Sequence, residues 1–410
     1  MEDLKDLMIQ HPKKDWLSKL TKSDQDEALR DLLANEEFDA KALNICFEAT
    51  LCNMAPRCLD VIAKFAKIRN VTFSLTTPYH HLITSGKRYP ENKLVDCIRA
   101  LIDNGFDVHE PGGRYPLFNL VQHARETQIR GESMDAEYES LSLLLAAGAD
   151  PNYRYDSHDK VYLRSESASA ALEYGFGMFS TASNFHDYCK YFAKYVELFV
   201  TYGCDVSEKN NMGRSLLEKH FGTYNSNFDF FYDFYQFYVK HGVVAITPHW
   251  YKSAGCLIYG GADLHFRNQN KLLPLTTFTI GFTDGIRLYF DRKSDTLSNK
   301  EHEEKQSQLN DIATALLDSA LSFLKFMNIR EAQEVLKQSL EAFDLNNHDG
   351  KLTNFRTVFK NVLLKHFSSF FCLKTLCAVK VWRCAGKRFT ELGLPAQLED
   401  DIRGMFHLTL

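Results

Sequence analysis

One phrase recurs four times along this chain, and it limits the fold more than any other feature. An aliphatic stretch ends in Gly-x-Asp. The copies are Leu101-Ile102-Asp103-Asn104-Gly105-Phe106-Asp107, Leu143-Leu144-Leu145-Ala146-Ala147-Gly148-Ala149-Asp150, Phe199-Val200-Thr201-Tyr202-Gly203-Cys204-Asp205 and Cys256-Leu257-Ile258-Tyr259-Gly260-Gly261-Ala262-Asp263. Glycine enters the left-handed conformation that ends a helix without a Cβ penalty. The aspartate two residues on can bond the backbone N–H groups of the turn. A helix closed the same way four times implies stacked helical units that bury their apolar faces on their neighbours.

A second phrase opens helices. Thr77-Pro78-Tyr79-His80 is its clearest copy, and Tyr115-Pro116-Leu117-Phe118 and Leu273-Pro274-Leu275-Thr276 keep only the proline. Thr247-Pro248-His249-Trp250, after Tyr238-Val239-Lys240-His241-Gly242, reads as another opener. Threonine is a good N-cap, and proline suits the first turn, where its missing N–H costs nothing. The closer and the opener together resemble the ankyrin repeat. That resemblance implies a helix pair per unit, with the opener's histidine, His80, bonding backbone in neighbouring hairpins.

The spacing is irregular. The four glycines lie 43, 55 and 58 residues apart, where an ankyrin unit takes about 33. Gly131 to Glu137 reads as an inserted loop, 153–165 as a long finger, and the 203–261 interval as holding one extra worn unit ending at Gly242. Upstream, Ala40–Met54 and Pro56–Lys67 read as a helix pair, so the array is expected to begin near residue 22 behind a capping helix. Phe228 to Tyr238 reads as a helix with an aromatic buried face, since its polar positions are helically spaced. Residues 291–308 read as a linker or surface loop, and helical patterning resumes at Leu309, with a second helix over Arg330–Phe343.

The last forty residues carry a different signal. Around Cys372-Leu373-Lys374-Thr375-Leu376-Cys377-Ala378-Val379-Lys380-Val381-Trp382 the apolar arc is wider than one docking face needs. Such a helix buries one side on its own domain and the other on a partner, because soluble monomers avoid large exposed apolar patches. Leu373, Cys377 and Val381, followed by Leu392-Gly393-Leu394-Pro395 and Leu398, resemble the suppressor-of-cytokine-signalling (SOCS) box.

Behind ankyrin-like repeats, the whole resembles the ankyrin-repeat and SOCS-box family, whose members are substrate receptors of cullin–RING ubiquitin ligases. The resemblance implies that Leu373 enters the apolar pocket of elongin C and that Leu376, Cys377 and Val381 lie along the same contact. It assigns Leu394, Pro395 and Leu398 to a cullin, of the cullin-5 type, and elongin B accompanies elongin C. Two positions depart from the pattern: Cys372 at the helix start, and Gly393 where the cullin segment has its first proline.

The expected fold is therefore all-α: an ankyrin-repeat solenoid with degenerate, insertion-bearing repeats, followed by a helical C-terminal SOCS box. Its parts are 1–75, an N-terminal cap and degenerate repeats; 76–290, ankyrin repeats; 291–308, the linker or loop; 309–364, a helical segment; and 365–410, the box.

Composition excludes some classes of function. The net charge of −5 gives no basic field for nucleic acid. The acidic N-terminus does not read as a signal peptide, no uncharged apolar run reaches membrane-spanning length, and ten scattered cysteines fit a reduced, cytoplasmic or nuclear protein. The sequon at Asn70-Val71-Thr72 is inert there. Asp344 to Gly350 has its glycine one place late for a calcium loop and reads as a helix-ending turn. His80, His81, His158 and His186 lack metal-ligand spacing, and no catalytic motif is present, so neither metal nor cofactor nor catalysis is expected.

Overall fold

A computed structural model of the chain describes residues 21–84, 91–109, 115–129, 133–153, 185–207, 215–222, 247–293 and 329–346, with a few positions missing inside those ranges, besides Lys209 and scattered positions of 307–327 and 357–365. Among these the regular structure is helical, apart from one isolated bridge between Lys209 and Ser215. The chain divides into two compact units, Met1–Tyr153 and Arg154–Leu410. The division falls inside the 76–290 stretch expected as one array.

The first unit holds α1 (Asp26–Asn35), α2 (Ala40–Cys52), α3 (Pro56–Ile68), α4 (Pro78–Thr84), α5 (Glu91–Asp103), α6 (Pro116–Ile129) and α7 (Asp135–Ala146). Helices α2, α4 and α6 pack in sequence as one layer, and α3, α5 and α7 as a second. The α4/α5 pair thus packs on the pair before it and the pair after it, the stacking that the ankyrin resemblance implies. α2 packs on α3, and Leu43, Phe47 and Leu51 of α2 and Leu59, Ile62 and Ala66 of α3 are all buried.

Local chemistry sets the helix ends. Asp39 caps α2, its Oδ1 accepting from Ala42 N at 2.6 Å. Helix α3 follows Ala55, which has no capping oxygen, so the cap comes from elsewhere in the chain. Asp24 Oδ1 accepts from Cys58 N at 3.1 Å, and Arg57 Nε stands 3.5 Å from its other oxygen. One orphan N–H of the first turn is thereby satisfied.

All four Gly-x-Asp glycines sit in the left-handed region, with φ of 81° at Gly105, 96° at Gly148, 87° at Gly203 and 105° at Gly261. Each makes the same pair of bonds. Gly105 N–H donates to Ile102 O at 2.9 Å and Phe106 N–H to Leu101 O at 3.1 Å, the two bonds of the Schellman motif. Asp107, Asp150, Asp205 and Asp263 each then accept from the backbone N–H two residues on, at 2.8–2.9 Å.

Two further helix ends make this closure without glycine. Asn70, at φ 54°, donates to Lys67 O while Val71 donates to Ala66 O; Met54, at φ 44°, donates to Leu51 O while Ala55 donates to Thr50 O. Asn70 lies 35 residues before Gly105, close to one repeat period. The sequon asparagine is thus a helix-closing residue of the repeat series.

The second unit holds α8 (Phe185–Thr201), α9 (Leu216–Gly222), α10 (Thr247–Tyr259), α11 (Pro274–Lys293), a 3-10 turn (Ser322–Phe326) and α12 (Ile329–Asn346). α10 packs on α8 and α9, α9 on α11, and α11 on α12. Gly260 is needed for close approach: a Cβ there would lie 2.9 Å from Val206 Cγ2 and 3.1 Å from both Val200 methyls.

Four expectations need correction. Asp135, Ala136 and Glu137 are the first turn of α7, not part of an inserted loop. Thr247-Pro248 opens the helix that Gly261 closes, so it begins the second helix of a pair rather than the first. α11 continues through Asp291, Arg292 and Lys293 into the expected linker. α12 runs to Asn346, so Asp344-Leu345-Asn346 is helix and not a turn.

Candidate interaction surface

The residues expected to bind elongin, Leu373, Leu376, Cys377 and Val381, lie outside the described residues, and so do the cullin-segment residues Leu394, Pro395 and Leu398. The 153–165 finger beyond Tyr153, the aromatic run 228–238 and Gly242 lie outside them too. What the structure does place is the turns and the first helices of the pairs, and the groups that tie them together.

In the first unit, aromatic rings stitch consecutive turns together. Phe47 of α2 stacks on Phe73 at 4.0 Å and on Phe106 at 5.2 Å, each nearly parallel. Phe73 precedes the second helix pair and Phe106 follows it, so one buried ring of α2 anchors two turns. Further along, Tyr115 stacks on Tyr153 at 4.1 Å. The Tyr115 hydroxyl oxygen accepts the Asp150 N–H and stands 3.2 Å from His109 Nδ1. With its oxygen already accepting, the hydroxyl proton can go to His109. Burial pushes the Tyr115 phenol above its usual range, which keeps it a donor at any physiological pH.

Polar bonds join helices within and between the pairs. Asn119 Nδ2 of α6 donates to His80 Nδ1 of α4 at 3.0 Å. The opener histidine is thus structural, with an adjacent side chain among its partners. Glu137, in the first turn of α7, is buried, and its Oε1 accepts from Thr127 Oγ1 at 2.6 Å and meets His123 Nδ1 at 2.9 Å. On the opposite layer, Asn104 Nδ2 donates to Asp60 Oδ1 at 3.0 Å. Burial works against ionising Asp60, but the bonds from Lys64 and Asn104 outweigh it and hold the carboxyl below its usual range.

The turn after Gly261, in the second unit, is held by charge. His265 Nδ1 lies 2.5 Å from Glu331 Oε2, and Arg267 makes a two-pronged bond to Glu334, 2.6 Å on each prong. The tip, 268–271, closes on itself: Asn268 Oδ1 accepts from Asn270 N and Leu272 N, and Lys271 takes a left-handed φ of 61°. The Arg267 bond holds the Glu334 carboxyl below its usual range and raises Arg267 in turn.

Sequence reasoning missed these tying groups. Phe73, Tyr153, Glu331 and Glu334 carry no motif and acquire their roles only once the helices stack. Among the described residues, no three His, Cys, Asp or Glu side chains cluster as a metal ion requires, and no helix is long and apolar enough to cross a membrane.

No protein-family model matches the chain, and no curated protein matches its sequence. Among solved structures it is similar to the ankyrin repeat domain of Bcl-3, a member of the IkappaB protein family, at 17% identity and a TM-score of 0.35, over 64% of this chain and 92% of that one.

Proposed function

We propose that this chain is the substrate-recognition subunit of a cullin–RING ubiquitin ligase. The observation that carries the reading is the sequence of the last forty residues: Leu373, Cys377 and Val381 at helical spacing, then Leu394-Pro395 and Leu398, in SOCS-box order behind helix-closing repeats. Leu373, Leu376, Cys377 and Val381 bind elongin C, and elongin B joins through it. Leu394, Pro395 and Leu398 meet a cullin of the cullin-5 type. Gly393 leaves that second segment less preorganised than a proline would, so elongin binding is the stronger of the two contacts.

The helix pairs support this reading physically. Turns stitched by Phe47, Tyr115 and Tyr153 form the kind of fixed surface that can hold a protein substrate. The chain needs no catalytic group for this work. Holding substrate and ligase machinery together raises the effective concentration of substrate lysines near the charged conjugating enzyme.

Co-purification tests the proposal. The wild-type chain is expected to recover elongin B and C, and the Leu373→Ala, Cys377→Ala variant to recover neither. Fully burying each such side chain in a partner pocket contributes roughly 1.5–3 kcal/mol. Equal recovery by the two forms, or recovery by neither, rejects the ligase role and leaves a helical scaffold.

A further inference from the structure

We propose that Cys52 and His81 form a reactive thiol–imidazole pair, a site of covalent modification by soft carbon electrophiles such as α,β-unsaturated carbonyl compounds. The Cys52 sulfur lies 3.2 Å from His81 Nε2. Cys52 is the last residue of α2 and His81 lies midway along α4, so the stacking of two successive helix pairs brings them together across 29 residues of sequence. This places a nucleophile within proton-transfer reach of a base.

The other described cysteines differ in both respects. Cys46, Cys58, Cys97, Cys204 and Cys256 are buried, whereas Cys52 is only half-buried. Burial pushes the thiols of Cys46, Cys58 and Cys256 up to about 12 and raises Cys97 as well, which leaves them unionised and inert. Cys52 alone among these combines access with a described imidazole contact. Its place at the C-terminal end of α2 works against a thiolate, because the helix dipole is negative there. Proton transfer within the pair, to the His81 ring 3.2 Å away, is the route to a thiolate that the proposal invokes at this position.

The reaction balances without an outside oxidant or reductant. The thiol proton passes to His81 Nε2. Sulfur forms a bond to the β-carbon of the acceptor, and the π pair of the C=C bond moves to the α-carbon. That carbon then takes the proton back from the imidazolium, leaving a thioether and a neutral ring. The pair has no part in elongin or substrate binding as proposed above, so the two readings stand or fall separately.

N-ethylmaleimide, limiting and added to the folded full-length chain, is the probe, with each cysteine followed by peptide mass spectrometry at pH 6 and pH 8. Cys52 is expected to label at least about tenfold faster than the five buried cysteines at both pH values. Its rate should fall less than about threefold between pH 8 and pH 6, where an ordinary thiol falls by about two orders of magnitude. In His81→Gln the fall for Cys52 should return to the ordinary value. An ordinary fall in the wild type, or the same shallow fall in His81→Gln, overturns the pair. If His81→Gln does not fold, the wild-type profile decides the matter alone.

Discussion

The turns after Gly105 and after Gly261 have the same backbone and different attachments. Both begin with a left-handed glycine, and both carry an aspartate that accepts from the N–H two residues on. At Gly105 the next residue is Phe106, whose ring joins the stack on Phe47 and Phe73. Beyond Gly261 come His265 and Arg267, which reach Glu331 and Glu334 of α12. The backbone motif therefore fixes the shape of the turn but not the force that holds it. Apolar stacking is indifferent to salt and to mild acid; exposed ion pairs are sensitive to both. Salt and mild acid should therefore weaken the turn after Gly261 and leave the turn after Gly105 unchanged.

The largest expected effect is on the aromatic side. Phe47 is fully buried and anchors two turns. Phe47→Ala should cost about 3–5 kcal/mol, and denaturant unfolding should report the same loss at low and at high salt. A loss that shrinks with added salt would show that charge, not stacking, holds this row of turns. The shared backbone motif comes next. Gly148→Ala forces a Cβ into the left-handed region and should cost about 1–2 kcal/mol. Open space surrounds the position, so the cost is conformational and not steric. Gly260→Ala makes the converse control, because there the obstacle is Val206 and Val200.

These positions mark what sequence could and could not reveal. The four glycines are readable because left-handed backbone favours glycine over every other residue, and the structure places all four at positive φ. Asn70 and Met54 close helices in the same way but are common residues in many other settings, so the same motif passed unseen there. Glu137 was misplaced for a related reason. A glutamate after Gly131, Glu132 and Ser133 reads as solvated loop, and nothing local shows that Thr127 and His123 will stand ready to receive it in the interior. Long-range partners such as Asp24 for the start of α3, or Glu334 for Arg267, leave no local pattern at all. The candidate elongin and cullin segments are legible in sequence only, through the order and spacing of Leu373, Cys377, Val381, Leu394, Pro395 and Leu398.

On the charged side the effect should be smaller and conditional. Arg267→Ala should cost about 0.2–1 kcal/mol at low salt and nearly nothing at high salt, because both partners remain partly open to solvent. The pH dependence has a definite sign. Arg267 holds the Glu334 carboxyl below its ordinary value, so the folded state binds that proton less readily than the unfolded chain. The pair's contribution is then complete above the ordinary glutamate range and is lost as pH falls through the lowered value. Unfolding of the wild type and of Arg267→Ala, compared between neutral and acid pH, should converge on the acid side. Curves that stay parallel through acid would show that Arg267 stabilises the turn by packing alone.

The smallest effect sharpens the comparison at its common element, the left-handed residue. Asn70 is exposed and sits at φ 54° in the closure that Gly105 and Gly148 make with glycine. Asn70→Gly removes the residual Cβ strain, but glycine also gives the unfolded chain more freedom, and the two terms oppose each other. The net change should be a gain of a few tenths of a kcal/mol, since asparagine already tolerates this conformation better than most residues do. Asn70→Val at the same site should lose about 1–2 kcal/mol, because a β-branched side chain tolerates the left-handed region poorly. Equal stability of the glycine and valine forms would mean that the closure at Asn70 does not constrain the backbone in solution, and the repeat series would then begin only with the helix that Gly105 closes.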